Sequence, residues 1–516
     1  MTKAKGKSKL QGVGVLAAAL IVLTVFTGCT SIPRGRAARV DYGKMDIKDL
    51  TGRANNGDIL AQATLADRYY NGTGVNTDCD KAYYWADKAA NAGNADAERD
   101  LGLMYDFGCG VTQSDTLAVN WFAAAAAQGD LMGETDLAWM FENGRGVAKN
   151  YARALFLYRA AANQGYPQAE VNLGYMYQMG YGVGRDPEQA AALVQEAAAQ
   201  GDARGEHVLG DLYYSGIGVK QNYATAVSWF LKSAQQGYVQ SEDALGYCYQ
   251  MGVGTRRDLQ KSFLWYQKSA LGGDAVGQVN LGWMYFRGWG VKQNYANALK
   301  YFQQAAKQGN AEAYHSLAAL YNCGCGVKQD KAHAVELTQK AADLGLFSAQ
   351  LAMAWYYDAG WGVSQNPAKA EAWFKKAAAH RFDTWQEFEN AMREIIQANQ
   401  KYPAGALKAH ESGAVTIRFT YANGRAVDVA VAHSSGFADL DKGAMEAVKR
   451  ALLPLPPGGI AQQKYSFTIP IEFNLSSYNA GLKAGAAAAG KPEHHALRTL
   501  QLRQYIDGVH DHASIS

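Results

Sequence analysis

The sequence predicts a mainly helical protein: a right-handed α-solenoid of nine 36-residue helix-pair repeats, followed by a small α+β module with the order β-β-α-β. Three observations support this fold class. A Gly-x-Gly motif recurs nine times at a spacing of 36 residues, from Gly72 to Gly362, which indicates stacked repeats. The 516 residues include 55 glycines and 10 prolines, a composition that favours helices ending at glycines. Near the C-terminus, apolar and polar residues alternate as in β-strands.

Composition and charge exclude two broad classes of protein. Apolar residues make up 48% of the chain and charged residues 19%, as in folded proteins, so a mostly disordered chain is excluded. The formal net charge is +3, and four lysines lie within the first nine residues. The rest of the chain is therefore close to neutral and lacks the basic surface that binding to nucleic acids requires.

Residues 1–28 have the parts of a lipoprotein signal peptide. Lysines form a positive segment, a short apolar run covers residues 13–26, and small residues precede Cys29. The stretch Phe26-Thr27-Gly28-Cys29 resembles a bacterial lipobox, and the resemblance implies that Cys29 carries the lipid. Thr30 then implies an outer-membrane lipoprotein that faces the periplasm of a bacterial cell envelope. The alternative is an uncleaved membrane anchor, although the apolar run is shorter than the roughly 20 residues that span a bilayer.

The repeats are predicted over residues 46–380, and the second helix of each repeat, helix B, has a predicted start and end. Residue types that favour the N-cap position stand 36 residues apart, and glycines suited to the position after a helix follow them. The predicted N-caps are Asp78, Ser114, Asn150, Asp186, Asn222, Asp258, Asn294, Asp330 and Asn366, and the predicted terminating glycines are Gly93, Gly129, Gly165, Gly201, Gly237, Gly273, Gly309 and Gly345.

The first helix of each repeat, helix A, carries two columns of core residues. A leucine, or methionine in the last repeat, stands four residues before an aromatic residue, as Leu173 does before Tyr177. Residues at this spacing share one face of a helix, so both columns are expected to point into the core. A half-repeat at about residues 46–56 precedes the array. A helix over 381–400, which begins with the capping box Thr384-Trp385-Gln386-Glu387, is expected to close its end.

These residues carry a resemblance to a known repeat. The pattern Leu173-Gly174-Tyr175-Met176-Tyr177, Gly180-Tyr181-Gly182-Val183, Asp186, Ala190, Ala197-Ala198 and Gly201 resembles the Sel-one-like repeat, a relative of the tetratricopeptide repeat. The match covers about residues 57–380. The resemblance implies a solenoid that acts as an adaptor for other proteins, and it implies no catalytic residues because the family shares none.

Residues 401–475 form the predicted α+β module. Two alternating strands flank Asn423-Gly424, a hairpin signal, and the last strand contains Pro470, which favours an edge or a bulge. With Tyr402-Pro403, Ser434-Ser435-Gly436 and Ile471-Glu472-Phe473, the region resembles the C-terminal domain of TonB-type proteins. The resemblance implies protein or peptide binding. Energy transduction is not expected, because the chain lacks a Pro-rich spacer. Residues 476–516 are expected to form a mobile tail.

A third column on helix A predicts a binding groove. In tetratricopeptide-like stacks helix A lines the concave face, and the resemblance implies the same here. Two positions after the core leucine, Trp or Tyr recurs in five repeats, and carboxylate or amide residues lie one turn earlier on the same face. Such residues suit a bound peptide strand, whereas the alternative is packing against the neighbouring helix. The predicted groove residues are Trp139, Tyr175, Tyr247, Trp283, Trp355, Asp100, Asp136, Asn172 and Asn280.

The cysteines after residue 28 have different expected roles. Cys248 occupies a core position that methionine holds in other repeats, so a buried thiol is expected. Cys79 and Cys109 lie on the same edge of the predicted solenoid, and an oxidising compartment favours a disulfide between them. Cys323 and Cys325 would need a strained link to pair, and the sequence leaves their state open.

No catalytic residue, metal or cofactor is predicted. His494, His495, His510 and His512 in the tail lack the cysteine or carboxylate spacing of a metal site. His433-Ser434-Ser435 lacks the Gly-x-Ser-x-Gly context of hydrolases. His207 and His315 lie within helix A, where packed or solvated histidines are expected. The Gly-x-Gly loops join two helices, so they are not dinucleotide sites.

The leading hypothesis for function is a lipid-anchored periplasmic scaffold that binds an envelope protein or peptide. The groove and the TonB-like module would both contribute to binding. One alternative is binding of peptidoglycan or another glycan, because tryptophan side chains stack on sugars. A second is an accessory role in TonB-related transport. An enzyme is not expected, and neither is a nucleic-acid partner.

Overall fold

A computed structural model of the chain describes residues 41–380, 385–398, 400, 402–422, 425–454 and 465–473. The predicted signal peptide with Cys29, the first residue of the capping box (Thr384), the Asn423-Gly424 turn and the tail with its histidines lie outside these residues. None of the helices in the described ranges is both long and apolar enough to cross a membrane. The chain divides into two compact units, with the boundary between Thr112 and Gln113.

Residues 41–112, the described part of the first unit, form four α-helices. They are α1 (Ile47–Asn55), α2 (Ile59–Asn71), α3 (Cys79–Asn91) and α4 (Ala95–Phe107). Helix α1 is the expected half-repeat, and its buried Leu50 and Ala54 face α2. Helices α2 and α3 form the first complete repeat, and α4 is helix A of the second.

The second unit continues the alternation of helices B and A up to the ninth repeat. Its repeat helices are α5 (Asp115–Ala127), α6 (Leu131–Asn143), α7 (Tyr151–Ala162), α8 (Pro167–Met179), α9 (Pro187–Ala199), α10 (Ala203–Ser215), α11 (Tyr223–Gln235), α12 (Val239–Met251), α13 (Leu259–Leu271), α14 (Ala275–Arg287), α15 (Tyr295–Lys307), α16 (Ala311–Cys323), α17 (Lys331–Asp343), α18 (Phe347–Ala359) and α19 (Pro367–Ala378). The predicted repeat fold is confirmed.

The predicted N-cap residues and terminating glycines lie at the ends of the B helices in the described repeats. All nine predicted N-cap side chains accept a hydrogen bond from a backbone N–H in the first turn of helix B. The eight terminating glycines all have positive φ, between 78° and 91°. These local signals mark the start of all nine B helices and the end of eight of them, whereas α19 ends at Ala378 without such a glycine.

The second glycine of the Gly-x-Gly loops after the first has a further role that the sequence did not reveal. A Cβ at Gly218 would overlap the carbonyl oxygen of Pro187, the first residue of the preceding helix B. Gly146 and Gly290 approach Asp115 and Leu259 in the same way, whereas a Cβ at Gly74 in the first loop would meet no atom within 4 Å. The missing side chain therefore lets these later loops lie directly on the previous repeat.

In four repeats the residue between the two glycines contacts the first residue of the preceding helix B, and the interaction differs from one repeat to the next. Cys79 and Cys109 form a disulfide in the first unit. In the second unit, Arg145 pairs with Asp115 at 2.7 Å. Tyr181 stacks on Tyr151 with ring centroids 4.6 Å apart, and Lys331 lies 5.4 Å from the Trp361 ring.

The C-terminal part of the second unit is the expected β-β-α-β module. It contains α20 (Trp385–Ala398), α21 (Ala404–Lys408), β1 (Gly413–Ala422), β2 (Arg425–His433), α22 (Ala438–Arg450) and β3 (Tyr465–Phe473). The antiparallel sheet has the order β2-β1-β3, so β3 with Pro470 is an outer strand.

Helix α20 joins the last repeat to this module through one shared core. Phe388 and Met392 of α20 are fully buried and pack with Leu351 of the ninth repeat. The Phe388 ring lies 5.8 Å from the ring of Tyr421 in β1. The alternate residues of β1 (Val415, Ile417, Phe419 and Tyr421) face this core. The module therefore packs onto the end of the repeat array.

Candidate functional site

Successive A helices of the second unit lie side by side, and side-chain hydrogen bonds connect them. Each bond joins residues 32–37 positions apart in the chain, so it runs from one repeat to the next. These bonds are Arg204 to Asn172 (2.8 Å), His207 to Ser241 (2.9 Å), Asn280 to Asp243 (2.9 Å), Trp283 to Ser316 (3.0 Å) and Asn322 to Tyr356 (3.1 Å). We call the surface of helices α6, α8, α10, α12, α14, α16 and α18 the A face.

Two predicted groove residues are exposed on the A face. The side chains of Trp139 and Tyr175 are 40% and 44% exposed, so part of each aromatic ring is open to solvent on two adjacent repeats. The guanidinium of Arg145 lies 5.4 Å from the Trp139 ring, and Tyr175 meets the edge of Tyr181 at 5.9 Å. Their inner edges are thus fixed by neighbouring side chains while their outer surfaces remain open.

Two other predicted groove residues are buried. Trp283 and Trp355 are 5% and 8% exposed. The indole Nε1 of Trp283 donates to Ser316, and its ring packs on Phe286 at 5.0 Å. Trp355 packs against Tyr356 and Trp361. The structure therefore places these two indoles in packing contacts with neighbouring side chains, as the alternative interpretation of this column expected.

The remaining predicted groove residues differ in exposure. Tyr247 is half-buried, and so are Asp136 and Asn172. Asn172 accepts a hydrogen bond from Arg204, and Asn280 is buried and donates to Asp243. Asp100 lies half-buried on α4 in the first unit. Trp139, Tyr175, Asp136 and Asn172 therefore share α6 and α8, and this group is the open part of the predicted site.

A buried hydrogen-bond network between helices of the A face contains the residue types of a catalytic triad, but its serine hydroxyl is not accessible to a substrate. The imidazole of His207 contacts Ser241 through Nδ1 at 2.9 Å and Asp211 through Nε2 at 3.4 Å. Ser241 is fully buried, and its hydroxyl donates to Ser233. Because that hydroxyl hydrogen is already used, Nδ1 must carry a proton and donate to Ser241. A nucleophilic role requires an accessible hydroxyl, so this network is structural.

Burial also shifts the pKa values in this network. Burial, with a smaller contribution from Arg204, lowers the pKa of His207 to about 4, and burial raises that of Asp211 to about 7. Both shifts favour the neutral forms. The burial of Asp211 and Asp243 was not predicted. The column of Asp243 holds Val171 and Val279 but also Arg99, Thr135 and His315 in other repeats, so the sequence pattern gave no signal for a buried carboxyl group there.

Comparisons with known proteins decide the family. The Sel1 repeat model matches nine consecutive segments between residues 59 and 381, and the model of the Gram-negative bacterial TonB protein C-terminal matches residues 398–475. The nine matches cover more than half of the chain. The chain belongs to the Sel1 repeat family. Sel1 repeats form scaffolds without a shared catalytic site, and the second match associates the chain with the envelope of Gram-negative bacteria.

Several individual proteins are similar to parts of this Sel1 repeat protein. The protein TonB of Haemophilus ducreyi is 33% identical over 91 residues, which are 17% of this chain and 32% of that protein. A protective antigen of uropathogenic Escherichia coli with an SLR fold is 28% identical, with a TM-score of 0.41, and the match covers 69% of this chain and 81% of that one. A Sel1 repeat protein from Oxalobacter formigenes is 30% identical, with a TM-score of 0.40 and coverage of 59% and 88%.

The described cysteines of the Sel1 repeats form two disulfides and one free thiol. Cys79 and Cys109 are linked by a disulfide with a Cα–Cα distance of 5.1 Å, and Cys323 and Cys325 by one with a distance of 5.2 Å. Cys248 is a buried free thiol. Burial, with a smaller contribution from Asp211, raises the pKa of this thiol to about 12, so it is unreactive at neutral pH.

The TonB-like module contains no arrangement of a hydrolase in its described part. The hydroxyls of Ser434 and Ser435 both donate to the carboxylate of Asp441, at 2.5 and 2.9 Å, and these bonds fix the start of α22.

A shallow cleft of about 350 Å³ lies between α21 and α22, with Pro403, Asp439 and Arg450 among its lining residues. Across the described residues of the whole chain, no cluster of histidine, cysteine and carboxylate side chains could hold a metal.

Proposed function

We propose that this Sel1 repeat protein is an envelope scaffold that binds a protein or peptide partner on the A face of α6 and α8. The exposure of Trp139 and Tyr175 on adjacent repeats carries the proposal. Large aromatic side chains dominate binding energy at protein interfaces, and the polar residues Asp136 and Asn172 lie one turn before them on the same helices. The lipid at Cys29 would hold the scaffold at the outer membrane, with the repeats in the periplasm.

The TonB-like module would supply a second contact. Its outer strands, β2 and β3, have the geometry to which an extended peptide adds by backbone hydrogen bonds. The 33% identity to part of a TonB protein supports a role in protein binding. A more specific form of this proposal is an accessory role in TonB-related transport. A transport protein crosslinked to β2 or β3 would support that role.

Site-specific photocrosslinking in cells tests the proposed face. A crosslinker at Tyr175 is expected to capture one envelope protein, and Trp139→Ala should abolish that product. Phe156, which is 71% exposed on helix B of the third repeat, provides the control position and should give no such product. Equal crosslinking at both positions would argue against the A face, and retention of the chain on pelleted peptidoglycan would favour a glycan instead.

Thermal stability separates binding from packing in the same variants. Trp139→Ala should leave the melting temperature nearly unchanged, because the side chain is 40% exposed. Trp283→Ala should lower it by several degrees, because removal of a buried indole costs about 3–5 kcal/mol. If Trp139→Ala destabilised the protein as much as Trp283→Ala, the exposed aromatics would be core residues and the proposed site would be lost.

The anchor has its own test. Cys29→Ala removes the thiol that would take the lipid, so the variant should lose lipid label and leave the outer-membrane fraction. A variant that still carried lipid would contradict the proposed lipobox.

A further inference from the structure

The Gly-x-Gly loop of the eighth repeat contains a disulfide that closes over a single residue. Cys323 is the last residue of α16, and Cys325 stands between Gly324 and Gly326. Cys323 is exposed and Cys325 is half-buried. Cys323 is therefore the residue of this pair that solution thiols can approach more easily, although its Sγ also lies 3.4 Å from the carbonyl oxygen of Leu320.

The loop has the same conformation as loops that contain no disulfide. Gly324 and Gly326 have φ values of 67° and 73°, and the corresponding glycines of all nine loops fall within 67–76° and 65–74°. In every loop the N–H of the middle residue donates to the carbonyl five residues earlier, at 2.9–3.2 Å, as Cys325 does to Leu320. The repeat thus holds the two cysteine positions in place without help from the disulfide.

The disulfide of the first unit differs in the length of chain that it closes. Cys79 and Cys109 are 30 residues apart and join the N-terminus of α3 to the loop after α4. A disulfide that closes a loop of this length restricts the unfolded chain by an amount equivalent to a few hundred-fold in the folding equilibrium. By thermodynamic linkage, folding favours that disulfide over its dithiol by the same factor. Cys323 and Cys325, only two positions apart, gain little from this linkage.

We propose that Cys323 and Cys325 form a redox-active pair that exchanges disulfides with thiols of proteins or small molecules. The pair is exposed, its loop needs no covalent link, and folding does little to protect the disulfide from reduction. Exposed disulfides of this kind are the labile ones in proteins, whereas structural disulfides resist reduction. This activity is separate from partner binding on the A face.

The exchange takes place in two steps. A thiolate of the substrate attacks Sγ of the exposed Cys323, the bond between Cys323 and Cys325 breaks, and its electron pair leaves on Cys325, which takes a proton from water. A second substrate thiolate then attacks the substrate sulfur of the mixed disulfide and releases Cys323 as a thiolate. Two substrate thiols are oxidised to one disulfide while the protein pair is reduced to two thiols. The reverse steps, with a substrate disulfide, oxidise the pair again.

Redox titration of the full chain with glutathione tests the proposal. The chain is equilibrated in buffers of different ratios of reduced to oxidised glutathione, quenched with acid, alkylated and mapped by mass spectrometry. Cys323 and Cys325 should become reduced at a glutathione ratio roughly 30–60-fold less reducing than Cys79 and Cys109 require, because the entropy of loop closure grows with the length of the closed loop. The melting temperature should change little when only Cys323 and Cys325 are reduced.

Single variants identify the attacked sulfur. Cys325→Ser should accumulate a glutathione adduct on Cys323, because no second thiol displaces it. Cys323→Ser should react more slowly, because Cys325 is half-buried. In the wild-type chain, equal resistance of both pairs to glutathione would overturn the proposal. So would a loss of stability on reduction of Cys323 and Cys325 as large as that caused by a Cys79→Ser, Cys109→Ser double variant.

Discussion

At the scale of single residues, burial controls the charge of the A helices. Asp243 on α12 is buried, and the amide of Asn280 donates to its carboxylate at 2.9 Å. Burial raises the pKa of Asp243 to about 7, and the carboxylates of Asp274 and Glu312 add to the shift, while the bond from Asn280 opposes it. The folded chain therefore keeps a proton on Asp243 that the unfolded chain, with a pKa near 3.8, releases.

This difference predicts a pH-dependent effect of Asp243→Asn. Between about pH 4 and pH 7 the folded state binds the extra proton, so the contribution of Asp243 to stability is present at low pH and is lost as pH rises. The amide of the variant does not titrate, and its oxygen can still accept from Asn280. The variant should therefore match the wild type at pH 4 and exceed it by roughly 2–4 kcal/mol at pH 8. Denaturation at both pH values measures this, and a constant difference would contradict it.

Residues of one column can lie in different environments, and this limited the prediction of the site. Trp139 and Trp283 occupy equivalent positions, yet one is exposed and the other buried. One turn later stands Glu142 in the first case and Phe286 in the second. Glu142 accepts from the hydroxyl of Tyr158 at 2.9 Å, whereas Phe286 packs on the indole of Trp283. The column was evident from the sequence, but exposure depended on contacts between helices that it did not reveal.

At the scale of the helix pair, the sequence predicted the ends of helices better than the contacts between repeats. Caps and terminating glycines act within a few residues, so a repeated pattern reveals them. In the loops after the first, the second glycine acts on a residue 31 positions earlier, as Gly218 does on Pro187. Such a contact follows from stacking, and only the structure connects the 36-residue period to it.

Two glycine substitutions separate these roles. Gly201 has a φ of 79° and a Cβ there would meet no atom within 4 Å, so Gly201→Ala should cost only the backbone strain of about 1 kcal/mol. Gly218 has a φ of 67°, and its Cβ would overlap the Pro187 carbonyl, so Gly218→Ala should cost roughly 3 kcal/mol or more. Hydrogen exchange of the amides in α9 and α10 measures the local loss. Equal losses in both variants would mean that the second glycine is needed only for its backbone conformation.

At the scale of the whole molecule, stability should be distributed over the repeats. Within the second unit, each repeat contacts its neighbours through the same surfaces, and nearest-neighbour terms then add along the array. The shared core of α20 and the module extends this arrangement to the last repeat. A change in one repeat is therefore expected to weaken a segment of the chain rather than unfold all of it.

Removal of one full period tests this arrangement. Deletion of residues 166–201 joins Gly165 to Asp202, so a terminating glycine again precedes the N-cap of α10. In the shortened chain, Asp136 takes the place of Asn172 as the neighbour of Arg204. Tyr151 likewise takes the place of Pro187 as the residue beneath the loop that contains Ile217. The shortened chain should fold, with its helix content by circular dichroism reduced in proportion.

A control deletion keeps the same junction residue but breaks the period. Removal of residues 166–183 deletes α8 and most of its loop but leaves α9, so two B helices follow one another and the loop contact at Gly182 is lost. Since each loop rests on the helix B of the preceding repeat, this chain should lose stability well beyond the full-period deletion. If the full-period variant unfolded completely, stability would belong to the array as one cooperative unit, and the additive description of its repeats would be wrong.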